Sequence, residues 1–293
     1  MTKKERINIF IENLSIFNKR SELAAEARES ALRHIVSELC ADADVMSACE
    51  ELPSLFKELV GKLSPNEEIL LYEEMTRSPR LASAMRIAFA VGSLDSAQAG
   101  SHGRIACVKN DFNNSALARL SYAVTNSKPR FVSSFLESCE AVTDGECEFC
   151  ILPIENASDG RMLGFYSMID RYELKICYAC DIDDEQTGTV RYALLSRCCP
   201  EPAEKRKSEV FIFEFSVISD NGAFMSDMLA VAEKCGALPI SIDCSPLPYD
   251  SRLKRYLLSF RTSAHSSLLL RAFLSSNYHN YTPIGLYPEP MAK

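Results

Sequence analysis

A short run of side chains that can exchange protons or bind anions follows a strand-like apolar segment in the middle of the chain. Glu155, Asn156 and Ser158 supply a carboxylate, an amide and a hydroxyl within four residues, and Gly160 ends the run. Such groups can hold the carboxylates of a substrate and transfer protons to it. In the structural alternative, Ser158 or Asp159 caps a helix and Glu155 is a carboxylate at a strand end.

Two CxxC pairs offer a second kind of chemistry. Cys147/Cys150 and Cys177/Cys180 have the spacing that places two sulfurs on one zinc ion. Both pairs lie in strand-like runs without the glycine-containing turns of zinc ribbons, so we interpret them as buried core thiols and predict no metal and no cofactor. The histidines are scattered and form no metal-binding or nucleophilic group: His34, His102, His265 and His279.

The composition indicates a globular protein that does not depend on nucleic acid. The 293 residues are 47% hydrophobic and 25% charged, with a net charge of −8, and the pI is about 5.2. This balance argues against general binding to nucleic acid or to an anionic membrane. The sequence shows neither a signal-peptide core nor an apolar run that could span a bilayer, so we predict a cytoplasmic protein with reduced cysteines.

The chain divides into three blocks separated by two linkers. Residues 1–92 have apolar residues at spacings of three and four, which predicts an all-helical domain in which Ser64-Pro65 opens one helix. Gly92–Gly103 is a flexible linker by composition, and Cys199–Ser208 is a second linker.

Short strands and helices alternate over residues 103–198, which predicts an α/β domain with a mostly parallel sheet. Residues 208–288 follow the order strand, helix, strand, strand, helix, strand, which is typical of a ferredoxin-like α+β domain. The sequence therefore predicts a multidomain protein with an all-α, an α/β and an α+β part.

The segment from Gly145 to Gly160 resembles the signature of prephenate dehydratases. Pro153-Ile-Glu-Asn156, followed by Gly160, has the form of their Pro-Ile-Glu-Asn-x-x-x-Gly motif, and a strand of small, acidic and aromatic residues precedes it. The resemblance covers the whole chain and is closest in the centre. Its order of helical mutase, dehydratase and ACT domains is that of the bifunctional chorismate mutase/prephenate dehydratase family.

The resemblance implies a two-lobed dehydratase domain, similar to a periplasmic binding protein, in residues 103–198. Prephenate dehydratases convert prephenate to phenylpyruvate, carbon dioxide and water. The resemblance places Glu155 and Asn156 in a cleft between the lobes, with Ser158 and Gly160 at the start of a helix whose N-terminal amides hold an anion.

The family's Thr-Arg-Phe triplet, whose threonine hydroxyl is the proton donor, corresponds here to Val190-Arg191-Tyr192. The threonine lies one position earlier, at Thr189. On a strand this shift turns the side chain to the other face, so we expect Thr189 to act as donor only where a bulge or turn redirects it. Tyr192 is either a substitute donor or a strand aromatic. Lys109, which replaces a glycine-rich turn, and Arg191 are the expected cations for a dianion.

The helical block resembles the all-helical chorismate mutases, and Arg20 matches one of their substrate-binding arginines. The position of their lysine is taken by Ala31, and Thr76–Gly92 contains no glutamine. We therefore interpret this block chiefly as a dimerising scaffold, with residual mutase activity as the alternative.

The last block resembles an ACT regulatory domain. Its two phenylalanine-binding segments correspond to Gly222-Ala223 and to Asp243-Cys-Ser245, in which Ser245 replaces the usual arginine. The resemblance implies phenylalanine as effector and a homodimer or a dimer of dimers.

Two functional hypotheses follow from the sequence. The first is a divergent prephenate dehydratase of phenylalanine biosynthesis that uses prephenate as substrate and Glu155, Asn156, Ser158, Thr189 and Arg191 as catalytic residues. The second is a non-catalytic sensor of small anions or amino acids built on the same fold. The intact Pro153–Gly160 segment favours the enzyme, whereas Val190 and the missing glycine turn favour the sensor.

Overall fold

The structure is a computed structural model, and it describes residues 19–20, 23–37, 40, 49–50, 52–53, 56, 63–92, 103–124, 126–184, 188–199, 210–247, 249–250 and 252–290. Most of the two predicted linkers and His102 lie outside these residues. The chain forms two compact units, Met1–Met85 and Arg86–Lys293.

The longer described stretches of the first unit are mostly helical. Residues 23–37 form one helix, and α1 (Pro65–Arg77) and α2 (Pro79–Ala88) follow. Ser64 caps α1 as predicted, because its hydroxyl accepts from the amide of Glu67 while the Glu67 carboxylate accepts from the amide of Ser64. Tyr72 is buried on this helix, with its ring centroid 4.9 Å from that of Phe56. The helices have these bounds: α1 Pro65–Arg77, α2 Pro79–Ala88, α3 Asp111–Leu120, α4 Phe135–Thr143, α5 Leu163–Arg171, α6 Phe224–Lys234 and α7 Ala264–Asn277.

The second unit is built on one mixed sheet with the strand order β2-β1-β3-β6-β5-β10-β7-β9-β8, and β4 pairs with β3. In the described chain, only the pairs β1–β2, β1–β3 and β5–β10 are parallel, so the prediction of a mostly parallel sheet is wrong. The strands are β1 Arg104–Val108, β2 Lys128–Val132, β3 Phe149–Asn156, β4 Gly160–Arg161, β5 Lys175–Asp184, β6 Gly188–Ser196, β7 Phe211–Ser219, β8 Leu238–Pro246, β9 Lys254–Thr262 and β10 Tyr281–Pro288.

The two lobes implied by the resemblance are not present in the described residues. The strands β1 to β6 are consecutive along the chain and all belong to the one sheet. β5 ends at Asp184 and β6 begins at Gly188, and the three residues between them are too few to form a second lobe. For the same reason, the described part of the chain forms no cleft between lobes.

The C-terminal elements have the predicted ferredoxin-like order. The chain runs β7, α6, β8, β9, α7, β10, and the strands lie in the order β10-β7-β9-β8. These strands do not form a separate sheet, because β10 also pairs with β5.

Apolar side chains cover both faces of the α/β half of the sheet. One cluster packs α4 and α5 against β3, β5 and β6, and the other packs α3 against the opposite face. Of the two CxxC pairs, Cys147 and Cys150 belong to the first cluster, Cys177 is buried, and Cys180 is half-buried against the second cluster. They pack as core thiols, as predicted. Burial raises the pKa of the Cys107 thiol to about 11, which is typical of an unreactive core thiol.

The pairing between β5 and β10, here called the junction, brings two backbones unusually close. Gly285 lies opposite Ile176, and a Cβ atom on Gly285 would lie 2.6 Å from Ile176 Cβ and 2.8 Å from its carbonyl oxygen. Only glycine fits there.

No helix in the described part of the chain has the length and hydropathy required to cross a membrane.

We expect Gly285→Ala to lower the free energy of unfolding by roughly 1–3 kcal/mol, because the added methyl group displaces the backbone of β5. Thermal denaturation followed by circular dichroism would measure the change. The control is Gly164→Ala in α5, where an added Cβ meets no atom within 4 Å. Alanine favours helix there by about 1 kcal/mol. Equal Tm values for the two variants would contradict the proposed close approach.

Candidate functional site

The Pro153–Gly160 segment forms the end of a strand and a tight turn. β3 continues through Asn156, and β4 pairs back on it with Gly160 opposite Asn156. The side-chain oxygen of Asn156 accepts hydrogen bonds from the amide and the hydroxyl of Ser158, both at 3.0 Å. Gly160 has φ +73°, a conformation that glycine adopts without strain.

This turn contradicts the expected helix start. α5 begins only at Leu163, and no side chain caps it. Ser158 and Gly160 therefore lie in a hairpin, and their amides do not form the N-terminus of a helix. The reason is local, because the Asn156 side chain closes an Asx turn and the amide of Ala157 donates to the carbonyl of Thr189 at 2.8 Å.

A β-bulge turns Glu155 toward Arg191. Pro153 pairs with Tyr192, but the next partners are Glu155 and Arg191, so Ile154 is the extra residue. A bulge of this kind redirects the following side chain. Without it, Ile154 would lie opposite Arg191.

Arg191 makes contacts with two carboxylates. Its Nη1 lies 2.9 Å from Glu155 Oε2, and its Nε and Nη2 donate to the two oxygens of Asp181 at 2.8 and 3.2 Å. Burial opposes the charge of Arg191, but the hydrogen bonds and charge of Asp181, together with the charge of Glu155, raise the pKa of Arg191 well above its usual range. The side chain is 32% exposed, so solvent still reaches the guanidinium.

Thr189 lies on the same side of β6 as Arg191. β5 and β6 pair without irregularity from Tyr178 to Asp184, so no bulge redirects Thr189, and residues two apart point to one face. The Thr189 hydroxyl donates to Asp183 Oδ1 at 2.9 Å. We call Glu155, Asp181, Asp183, Thr189 and Arg191 the Arg191 cluster.

Asn156 is not part of this cluster. It pairs with Val190, whose side chain packs with the α3 side of the sheet. By strand alternation, the Asn156 amide and the Thr189 hydroxyl lie on opposite faces. The structure thus brings Glu155, Thr189 and Arg191 together and leaves Asn156 and Ser158 in the neighbouring turn.

Two further predicted substrate-binding residues have different surroundings. Lys109 follows β1 and is exposed. Asn110, the next residue, caps α3 by accepting from the amide of Asn113 at 2.7 Å. Tyr192 is buried among the residues under α3, which agrees with its interpretation as a strand aromatic.

A buried polar network, absent from the sequence predictions, links the two halves of the sheet. The carboxylate of Glu214 accepts from the hydroxyls of Tyr166 at 2.8 Å and Tyr287 at 2.6 Å. Burial, reinforced by the charge of Glu214, raises the pKa of both tyrosines well above the usual range. Arg161 lies over the Tyr166 ring, 5.6 Å from its centroid. We call these four residues the Glu214 network.

Arg161 connects the turn to the ferredoxin-like half. Arg161 follows Gly160 directly in the chain. Its guanidinium donates to the carbonyl of Leu257 at 3.1 Å and to the Ser259 hydroxyl. It also forms an ion pair with Asp243 at 2.9 Å.

One signal in the sequence could have found the Glu214 network: Glu214 is the only charged residue in the apolar run 211–218. A second signal is the alternation of Asp181 and Asp183 with Ile182, which could have indicated two carboxylates on one face of β5.

The predicted effector residues lie on two faces of the sheet within one chain. A Cβ on Gly222 would lie 3.6 Å from the hydroxyl of Tyr256, whereas Asp243 pairs with Leu257 on β9. Because Tyr256 and Leu257 are consecutive, their side chains point to opposite faces.

The remaining predicted residues follow the same division. The amide of Ala223 donates to the side chain of Asn221 at 3.0 Å, close to Gly222. Ser245 pairs with Arg255 and shares its face with Asp243. In the helical unit, Arg20 is exposed.

Similarity to known proteins is found at the level of structure. No protein-family model matches the sequence, and no curated protein matches it. The prephenate dehydratase of Streptococcus mutans is similar with a TM-score of 0.52 and 16% identity, covering 64% of this chain and 99% of the other. The Arthrobacter aurescens prephenate dehydratase in complex with L-Phe has a TM-score of 0.51 and 13% identity, covering 64% and 92%.

A third solved structure, GqqA, described as a novel type of quorum quenching acylase, has a TM-score of 0.51 and 18% identity, covering 64% of this chain and 96% of its own. At these identities the comparisons establish a fold similar to that of prephenate dehydratases.

We expect Arg191→Met to destabilise the fold by roughly 1–3 kcal/mol at neutral pH, because Asp181 and Glu155 lose their shared cation and repel each other. Denaturant unfolding at neutral pH would measure the change.

The control for this experiment combines Arg191→Met with Asp181→Asn and Glu155→Gln, which removes the repulsion and should recover part of the lost stability. Arg252→Met removes an exposed arginine that pairs with Asp250 and should change stability little. Equal stability of Arg191→Met and the triple variant would contradict the assigned ion pairs.

Proposed function

We propose that this chain is a divergent prephenate dehydratase of phenylalanine biosynthesis whose reaction takes place at the Arg191 cluster. The observation that carries the proposal is the common orientation of Thr189, Arg191 and Glu155 at the end of β3 and the start of β6, beside the Pro153–Gly160 turn. The similarity of the fold to prephenate dehydratases supports the same reaction class.

The reaction makes two demands on the site. The ring carboxylate of prephenate leaves as carbon dioxide, and the electron pair of the broken carbon–carbon bond completes the aromatic ring as the ring hydroxyl departs. That hydroxyl needs a proton to leave as water. A cation must also hold the side-chain carboxylate that remains in phenylpyruvate.

The cluster supplies a group for each demand. Thr189 turns its hydroxyl from Asp183 to the departing oxygen and gives it a proton, and solvent returns a proton to the threonine oxygen. Arg191 holds the substrate carboxylate, which takes the place of Glu155 on Nη1, while Asp181 keeps the guanidinium in position through two hydrogen bonds. Lys109 is the second cation for the dianion.

The other features implied by the resemblance extend the proposal. Phenylalanine is the proposed effector, with Gly222 and Ala223 of one chain and Asp243 and Ser245 of another as its ligands. This arrangement requires a homodimer, since one chain holds the two pairs on opposite faces of the sheet.

Residual chorismate mutase activity would involve Arg20 in the helical unit. The proposed compartment is the cytoplasm.

The second candidate is a non-catalytic sensor of small anions or amino acids. Two observations favour it: Arg191 is already bound to two carboxylates, and one sheet replaces the two lobes. The three carboxylates of the Arg191 cluster outnumber its single guanidinium, and this excess opposes the binding of a dianion.

The test is to incubate purified protein with prephenate at neutral pH and to follow phenylpyruvate. We expect formation above the spontaneous rate, and a fall in kcat of at least about 100-fold in Thr189→Val, because general-acid catalysis is lost while the shape is kept. The control Thr143→Val alters an exposed threonine at the end of α4 and should keep the native rate.

Absence of phenylpyruvate above the spontaneous rate would exclude the enzyme. Calorimetry with prephenate, phenylalanine and tyrosine then decides the sensor hypothesis. A sensor gives heat and a thermal shift with at least one of the three, and no response to any of them would refute it as well.

A further inference from the structure

A cavity lies at the opposite end of strands β5 and β6 from the Arg191 cluster. It has a volume of about 520 Å³, within the range of roughly 300–1,000 Å³ that is typical of small-molecule sites. It opens where β5 begins and β6 ends, since Lys175 pairs with Ser196 there. We call it the Lys175 pocket.

The floor of the pocket is apolar and comes from both halves of the sheet. Ile169 lies on α5, Leu174 in the connection between α5 and β5, and Ile284 on β10, and all three are buried. Gly92 forms part of the wall, where an added Cβ would lie 2.9 Å from the backbone of Arg197 and of Cys199. The cavity therefore spans the junction between β5 and β10.

Lys175 places a half-buried ammonium group in this wall. Its Nζ donates to the carbonyl of Pro283, another lining residue, at 2.7 Å. Across the described ranges, no carboxylate lies within ion-pair distance of Nζ. Burial lowers the pKa of Lys175, against the nearby charges of Asp170 and Glu173. Charged groups taken from water are normally paired, so an ammonium with one carbonyl acceptor has donor capacity left for a ligand.

The rim adds a second cation. Arg197 is exposed, and its only ion pair among the described residues is a long one of 3.9 Å with the exposed Glu173. Asp170, the other acidic lining residue, is held by Arg255 at 2.8 Å. The pocket thus combines an apolar floor with two cations, Lys175 without an ion pair in the described residues and Arg197 in a single long one. Of its two carboxylates, Asp170 is bound by Arg255 and Glu173 lies at the exposed rim.

We propose that the Lys175 pocket binds a small organic carboxylate, with the carboxylate on Lys175 and Arg197 and an apolar body over Ile169, Leu174 and Ile284. The pocket is separate from the Arg191 cluster, and the proposal does not depend on dehydratase activity. Because both halves of the sheet line it, a bound ligand also stabilises the junction.

Binding is tested by calorimetry and thermal shift with three probes that each carry one phenyl ring and differ in their charged groups: 3-phenylpropionate, phenethylamine and L-phenylalanine. We expect 3-phenylpropionate to bind and to raise Tm, and phenethylamine not to bind. L-Phenylalanine shows whether an added ammonium group is accepted. Equal binding of phenethylamine, or no binding of any probe, would overturn the proposal.

Variants locate the site. Lys175→Met should weaken 3-phenylpropionate binding by at least about tenfold, as expected for the loss of a charged hydrogen bond. Lys175→Arg should retain most of the affinity. Arg197→Gln changes an exposed rim residue, so it tests the pocket even where Lys175→Met fails to fold, and it should weaken binding several-fold.

The matched control is Lys254→Met, which removes an exposed lysine at the start of β9 and should leave binding unchanged. Arg191→Met distinguishes the two sites. Loss of binding in Arg191→Met with native affinity in Lys175→Met and Arg197→Gln would move the ligand to the Arg191 cluster and refute the pocket.

Discussion

The parallel pairing of β10 with β5 holds the larger unit together. Through it, the last strand of the chain joins the ferredoxin-like strands to the α/β strands in one sheet. The pairing depends on Gly285, because only a residue without a side chain lets the backbones meet at Ile176. Without this pairing, β5 and β10 would each expose an unpaired edge, which proteins avoid because open edges promote aggregation.

Buried charge accompanies this junction. The Glu214 carboxylate on β7 accepts from Tyr166 of the α/β half and from Tyr287 of β10. Arg161, from the same half as Tyr166, makes its contacts with β8 and β9. Groups of this kind are expensive to bury unless they are paired, so each half needs the other for its polar side chains to be satisfied. The turn at Gly160 is therefore fixed relative to the ferredoxin-like strands.

The chemistry of the Arg191 cluster follows from strand geometry. A single extra residue, Ile154, turns Glu155 to the side of Arg191, and the regular pairing of β5 with β6 adds Asp181 and Asp183. The same regular pairing places the side chains of Thr189 and Asn156 on opposite faces of the sheet. An enzyme at this site must exchange a protein carboxylate for that of its substrate, whereas a binding protein has no need of Thr189 as a donor.

Much of the fold could be predicted from local pattern. Apolar periodicity and capping residues such as Ser64 indicate where helices begin, and the alternation over residues 103–288 indicates the order of the strands and helices, apart from the short strand β4, where a helix start was predicted. The ferredoxin-like order of the last block is likewise a local property, because each element is short and bounded by turn residues. The motif around Pro153–Gly160 and the basic residue Arg191 also stand out in the sequence.

Partner choice could not be predicted in this way. Whether strands pair parallel or antiparallel, and whether Ile154 forms a bulge, depends on neighbours far along the chain. That the described residues of β1 to β6 form one sheet and not two lobes depends on β5 and β6 being neighbours across a short connection, which spacing along the chain does not reveal. The sequence by itself determined the elements and the candidate residues, because these depend on spacing along the chain. Only the tertiary structure decided which face each side chain occupies and which charges meet, since both depend on pairing register.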